Sequence, residues 1–136
     1  MNGFVRYQLP VVLWILAIFA LSSIPTLPQV KFFISPDKLG HMGIYFVLCL
    51  LWKRALLHQR RFPLLARQAT AFAFFFTVVY GTALEAYQML VPNRFADVYD
   101  ALANTLGAGM YAGWSFWRWA KNRREEESSD PGKRLT

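Results

Sequence analysis

Acidic, imidazole and phenolic side chains recur at helical spacing within the hydrophobic part of this 136-residue sequence. Asp37, His41 and Tyr45 follow one another at four-residue intervals, which places all three on one face of a helix. A carboxylate beside an imidazole can exchange a proton, orient a cationic group, or accept a hydrogen bond from a bound hydroxyl. This pattern therefore indicates either acid–base chemistry or the binding of a polar ligand.

Two later hydrophobic segments carry comparable polar faces. In the first of them, Glu85 and Gln88 follow Gly81 at spacings of four and three residues. The second carries small and polar residues at spacings of three or four: Asp97, Asp100, Asn104, Gly107 and Tyr111. We expect the glycines to allow close helix approach. Glu85 lies about 9 Å from the end of its helix at 1.5 Å per residue, so it needs a partner or a proton.

Four segments with few or no charges must position these residues, and they cover residues 9–21, 39–52, 68–84 and 101–117. The chain is 55% hydrophobic, more than an ordinary soluble domain. A bilayer span needs about 20 residues, so the shorter segments must extend into their polar flanks. The sequence predicts an all-α polytopic membrane protein, an antiparallel bundle of about four transmembrane helices. The alternative for the first segment is a cleaved signal peptide, since Arg6 precedes a short apolar core.

Basic residues gather at one set of segment ends. Twelve of the fifteen lysines and arginines lie before the first segment, between the second and third, or after the fourth. An even number of spans puts these regions on one side, which the positive-inside rule makes cytoplasmic. We therefore predict a multi-pass protein of the bacterial cytoplasmic membrane with both termini cytoplasmic and the polar faces directed outward. The same placement explains the net charge of +7 without nucleic-acid binding.

The end of the chain differs in composition from the rest. Residues 121–136 are rich in Glu, Ser, Asp and Lys and have little apolar surface to bury. We predict a transmembrane domain over residues 1–120 and a disordered cytoplasmic tail over residues 121–136. Cys49 is the single cysteine, so an intrachain disulfide is excluded.

The polar positions occur in a characteristic order along the chain. They are Ser22-Ser23-Ile24-Pro25, then Asp37-Lys38-Leu39-Gly40-His41, then Glu85, Gln88, Arg94, Asp97, Asp100, Asn104 and Gly107. Together they resemble the VanZ-like family over about residues 9–111. The resemblance implies a multi-span bacterial membrane protein, and the family's founding member is associated with low-level resistance to the glycopeptide teicoplanin. Members usually carry a histidine where this chain has Tyr87. A mechanism that needs an imidazole would therefore have to use His41 in this chain.

Our leading hypothesis is an outward-facing polar cavity that binds a lipid-linked or phosphate-bearing cell-envelope precursor. The candidate ligand-binding residues are Asp37, Lys38, His41, Tyr45, Glu85, Gln88, Arg94, Asp97, Asp100 and Asn104. Lys38 and Arg94 are expected to receive the anionic part of the ligand, because an ammonium and a guanidinium both bind phosphate.

Three alternatives remain open. One is an enzyme acting on such a lipid, with His41 or Glu85 as general base and the acidic residues available to hold a divalent cation. Another is an accessory protein that pairs with a second envelope protein or with its own copy. The third is a structural cluster in which Lys38 and Arg94 neutralise the carboxylates, and Asp37 and Asp97 favour helix N-termini. No metal motif of fixed ligand spacing occurs, so the sequence assigns no cofactor and no metal ligands.

Overall fold

The computed structural model describes residues 3–24, 36–92 and 97–129, and the regular secondary structure in these ranges is entirely helical. The helices are α1 (Gly3–Tyr7), α2 (Leu9–Ser22), α3 (Pro36–His58), α4 (Pro63–Arg67), α5 (Ala69–Gln88) and α6 (Val98–Ser129). Each of the four predicted apolar segments coincides with one of the long helices α2, α3, α5 and α6. The all-α prediction is confirmed.

Prolines mark several helix starts. Pro36 begins α3 and Pro63 begins α4, where the missing backbone N–H leaves no intrahelical bond unmade. Phe62 has the extended backbone that a following proline favours. Between α1 and α2, the N–H of Gln8 still donates to the carbonyl of Phe4 over 2.8 Å, so these two helices follow almost one path.

The directions of the long helices follow from their side-chain contacts. Trp14 Nε1 of α2 donates to the carbonyl of Ile44 on α3 over 3.1 Å, and Tyr80 Oη of α5 donates to the carbonyl of Ile15 over 2.7 Å. Both α2 and α5 finish at the end of the bundle where α3 and α6 begin. We call this the polar end. The opposite end, with α1 and α4, is the basic end.

Small residues fill much of the core between α3, α5 and α6. Cys49, Ala73 and Ala108 are fully buried there, which lets the three helices approach closely. Large apolar side chains such as Leu13 and Phe75 point outward instead. A bundle with small residues inside and an apolar outer surface is typical of membrane helices, which pack without a hydrophobic driving force between them.

Two of the described helices, Pro36–His58 and Ala69–Gln88, are long and apolar enough to cross a membrane by length and composition. The apolar helix Leu9–Ser22 has 14 residues. At 1.5 Å per residue it reaches about 21 Å, less than the ~30 Å of a bilayer's hydrocarbon core.

The prediction of disorder from residue 121 is wrong for residues 121–129, because α6 continues to Ser129. Local contacts accompany this extension, since Lys121 Nζ lies 3.7 Å from Glu125 Oε1 and 5.8 Å from the ring centre of Trp117. Adding turns to an existing helix avoids the unfavourable nucleation step, so exposed residues can continue it without burial. Residues 130–136 lie outside the described residues.

Candidate functional site

Asp97 caps the N-terminus of α6 at the polar end. Its Oδ1 accepts a hydrogen bond from the backbone N–H of Tyr99 over 3.0 Å. Its carbonyl accepts from the N–H groups of Asp100 and Ala101 over 2.9 and 3.2 Å. The role predicted for Asp97 as a helix cap is confirmed. This cap also fixes the direction in which α6 presents its first carboxylates.

Lys38 is the buried cation of the polar end, with 6% of its surface exposed. Its ammonium donates to Asp97 Oδ2 over 3.1 Å and to Asp100 Oδ1, and lies 3.8 Å from Asp37 Oδ2. Three carboxylates therefore surround one ammonium and join the start of α3 to the start of α6. A buried charge with this many partners is far less costly than an isolated one.

A second group of contacts leads from the surface into the bundle. His41 Nδ1 lies 2.9 Å from Asn104 Oδ1, and Asn104 Nδ2 donates to Glu85 Oε1 over 3.4 Å. On the outer side, His41 Nε2 lies 3.9 Å from Asp37 Oδ1. The Asp37 side chain is 51% exposed and that of His41 is 22% exposed, whereas Asn104 and Glu85 are buried. These four side chains connect three helices.

Glu85 is the least satisfied polar group of this chain of contacts. The residue is 6% exposed, and its Oε2 has no hydrogen-bond partner among the described residues. The hydrogen bond that its other oxygen accepts from Asn104 is long at 3.4 Å. Buried polar groups are nearly always paired in folded proteins, so this oxygen calls for a proton on the carboxyl, a water or a donor from a ligand.

Two glycines set the helix spacing around this cluster. A Cβ atom on Gly107 would lie 2.8 Å from Met42 Cα of α3, closer than real Cβ contacts allow. A Cβ atom on Gly81 would lie 2.8 Å from Tyr45 Cε1. The sequence predicted close packing at both glycines, and it is confirmed.

The other predicted site residues occupy different places. Tyr45 is buried in an apolar cluster with Ile18, Leu48 and Leu84, and Gln88 is buried at the end of α5. Arg94 lies outside the described residues. The members in mutual contact at the polar end are thus the following: Asp37, Lys38, His41, Glu85, Asp97, Asp100 and Asn104.

Three of these side chains form a set that can hold a metal ion. One donor atom each from Asp37, His41 and Asp100 lies within 4.8 Å of the others. The sequence shows no metal motif of fixed spacing, because only Asp37 and His41 share a helix. The third ligand comes from α6, at a separation that no local motif shows.

Sequence reasoning missed two further polar contacts. Tyr87 Oη lies 3.3 Å from Ser23 Oγ, which ties α5 to the end of α2. Nearer the basic end, Lys53 Nζ donates to Ser115 Oγ, and Ser115 Oγ lies 3.3 Å from Thr70 Oγ1. The second contact had a signal in the sequence, because Thr70 and Ser115 are polar residues within mainly apolar segments.

Comparison with known proteins assigns the family. No curated protein and no solved structure matches the chain. The family model for VanZ/LLP1 matches residues 7–120. This region contains α2 to α5, most of α6, and every residue of the polar end described above. The resemblance inferred from the ordered polar positions is confirmed, and the chain belongs to the VanZ/LLP1 family.

Proposed function

We propose that this protein is a membrane-embedded binding protein for the polar head group of a cell-envelope lipid. In this proposal the chain crosses the bacterial cytoplasmic membrane four times, with both termini in the cytoplasm. The polar end then faces outward, where lipid-linked envelope precursors are exposed. The distribution of basic residues supports this orientation, because most of them lie at the opposite end of the bundle.

The observation that carries the proposal is the unpaired Oε2 of Glu85. A cluster that served packing alone would be expected to satisfy its own buried acceptors. Glu85 is also connected to the surface through Asn104 and His41. A hydroxyl or amine of a bound head group is a suitable donor for such an oxygen.

The charge of the cluster restricts the head group. Among the described residues, four carboxylates accompany one lysine at the polar end: Asp37, Glu85, Asp97 and Asp100 beside Lys38. This balance favours hydrogen-bond donors such as sugar hydroxyls. A phosphate needs further positive charge, which Arg94 or a bound cation would supply.

Native mass spectrometry of the protein in mild detergent with a bacterial polar-lipid extract tests this proposal. We expect the wild type to retain one glycosylated or phosphorylated lipid, and Glu85→Gln and Asn104→Leu to lose it. Glu125→Gln is the matched control, because it removes an exposed carboxylate from the far end of α6. The same set of lipids on all four proteins would contradict a head-group site.

The contacts around His41 favour a second candidate function, an enzyme acting on the bound lipid. His41 is partly exposed and is oriented by Asn104, as a general base must be. Glu85 is the alternative base. Incubation with the retained lipid distinguishes the two functions: loss of product formation in His41→Ala with lipid retention preserved indicates an enzyme, whereas an unchanged lipid in every sample indicates binding alone.

A contribution to glycopeptide resistance is the cellular consequence that we propose from the family relationship. Cells that express the wild type should tolerate a higher teicoplanin concentration than cells that express Glu85→Gln at the same level. Equal inhibitory concentrations for these two strains and for cells without the protein would remove this role.

A further inference from the structure

We propose that the polar end holds a divalent cation between Asp37, His41 and Asp100. The cation site stands on the geometry of these side chains. Its suggested use, to bridge the protein and a phosphate of the ligand, rests on the head-group binding proposed above.

The three donor atoms already lie close to one another. Each is within 4.8 Å of the other two. Neighbouring ligands on one ion lie about 3.0–3.5 Å apart at metal–ligand bonds near 2.1 Å. The three donors must therefore approach one another by up to about 1–2 Å, and the half-exposed Asp37 side chain has room to move. The site therefore needs only a side-chain adjustment to bind an ion.

Hydrogen bonding prepares His41 to act as a ligand. The carboxylate of Glu85 accepts from Asn104 Nδ2, so the amide oxygen of Asn104 faces His41 Nδ1. An amide oxygen only accepts, and His41 must carry its proton on Nδ1. In the neutral ring, Nε2 then presents a lone pair. Metal-binding histidines commonly donate their other N–H to a fixed acceptor in this way.

The lone pair of Nε2 faces another acceptor. Asp37 Oδ1 lies 3.9 Å from it, too far for a hydrogen bond. Two acceptors opposed at this distance are stabilised by a positive charge between them. A divalent ion bound to both atoms supplies that charge and keeps the bond from His41 to Asn104 intact.

Glu85 adds a second observation beside this site. Its Oε2 is buried without a hydrogen-bond partner among the described residues, one side chain behind His41. The four carboxylates at the polar end exceed the single lysine by three charges in the part of the chain that the structure describes. A divalent ion reduces this excess, so it lowers the cost of the buried Glu85 carboxylate.

Lys38 and the ion can share Asp100. Lys38 bonds to Oδ1 of Asp100, which leaves the second carboxylate oxygen for the metal. One imidazole nitrogen with two carboxylate oxygens suits Zn²⁺ or Mn²⁺ better than Ca²⁺ or Mg²⁺. Three protein ligands leave coordination positions open, and a phosphate oxygen or water can occupy them.

Electron paramagnetic resonance with Mn²⁺ tests the site, since bound Mn²⁺ loses the signal of the free aqueous ion. The full chain in detergent is first stripped with EDTA. We expect a single Mn²⁺ per chain, displaced by Zn²⁺, with binding weakened at least about tenfold in Asp37→Asn and His41→Gln. Asp37 is exposed, so Asp37→Asn should fold normally, and the unfolding temperature of stripped protein checks this.

Asn104→Leu and Glu125→Gln complete the set. Asn104→Leu keeps all three ligands but removes the acceptor for His41 Nδ1, so affinity should fall about 10–100-fold. Glu125→Gln should bind as the wild type does. No Mn²⁺ or Zn²⁺ on the wild type, or equal binding in Asp37→Asn and His41→Gln, overturns the cation site.

Native mass spectrometry with and without EDTA separates this proposal from head-group binding. Lipid retained only in the presence of metal supports both proposals. Lipid retained by a wild type that binds no metal overturns the cation site and leaves the head-group site standing. Metal bound without any selective lipid supports the cation site and contradicts the head-group proposal.

Discussion

The ammonium of Lys38 on α3 donates a hydrogen bond to Asp97 Oδ2 at the start of α6 over 3.1 Å. Asp97 simultaneously caps α6 through its other carboxylate oxygen. One carboxylate therefore caps the N-terminus of α6 and also pairs with a buried cation. The contact joins the start of α6 to the start of α3.

Replacing Lys38 should destabilise the protein strongly. In Lys38→Met, Asp97 and Asp100 lose their shared ammonium while remaining partly or fully buried, and breaking such a pair costs about 3–5 kcal/mol. Thermal unfolding followed by tryptophan fluorescence in detergent measures the effect. Lys121→Met is the control, since its partner Glu125 is exposed. Equal unfolding temperatures for the two variants would show that the Lys38 contacts contribute no stability.

Gly107→Ala should destabilise the protein, whereas Gly113→Ala in the same helix should not. The new methyl group would meet the backbone of Met42, which cannot move aside without separating α3 from α6. We expect a loss of about 1–3 kcal/mol, as for other overpacked sites. Gly113→Ala is the matched control, because nothing lies within 4 Å of the added atom, and there alanine's helix propensity should stabilise. Equal effects of the two substitutions on the unfolding temperature would contradict the close approach.

Periodicity in the sequence was sufficient to predict the helices and the polar faces. The spacing of Asp37 and His41, and that of Glu85 and Gln88, follows from helix geometry alone, and apolar segments mark the four long helices. The glycines were also interpretable, because a small residue among large apolar ones in a membrane helix indicates contact.

Pairing between helices was beyond the sequence. The sequence analysis placed both Asp37 and Lys38 in the polar cavity, whereas in the structure Lys38 is buried and Asp37 is half exposed. Which of two adjacent side chains faces inward depends on the rotation of α3 against α6. That rotation brings Gly107 against the backbone of Met42, a contact that no local pattern in the sequence reveals. The particular set of three metal ligands could not be named from the sequence for the same reason.

The proposed topology predicts opposite labelling of two leucine-to-cysteine variants. Leu90 lies at the polar end and is 80% exposed, and Leu64 lies at the basic end and is 59% exposed. In intact spheroplasts, a membrane-impermeant maleimide should label Leu90→Cys. The same reagent should label Leu64→Cys only after the membrane is opened. The native Cys49 is fully buried and serves as the unreactive background. Labelling of Leu64→Cys alone in intact spheroplasts would show that the polar end faces the cytoplasm instead.

Glu85→Gln should separate stability from binding. The glutamine keeps the shape of the side chain and an oxygen that can accept from Asn104, but it removes a buried charge with one long hydrogen bond. We therefore expect the free energy of unfolding without metal or lipid to stay equal or rise by about 1 kcal/mol, because burying a neutral amide costs less than burying a carboxylate.

Lipid and metal binding should move in the opposite direction, because the negative charge that attracts the ligand is gone. Denaturant unfolding in detergent gives the stability, and native mass spectrometry gives the retained ligands. Glu125→Gln should change neither by a measurable amount, since surface substitutions are usually within about 0.5 kcal/mol. A Glu85→Gln protein that unfolds more easily and keeps its ligands would make Glu85 a structural partner of Asn104. A buried acid that weakens the fold while it enables binding is the expected behaviour of a functional residue.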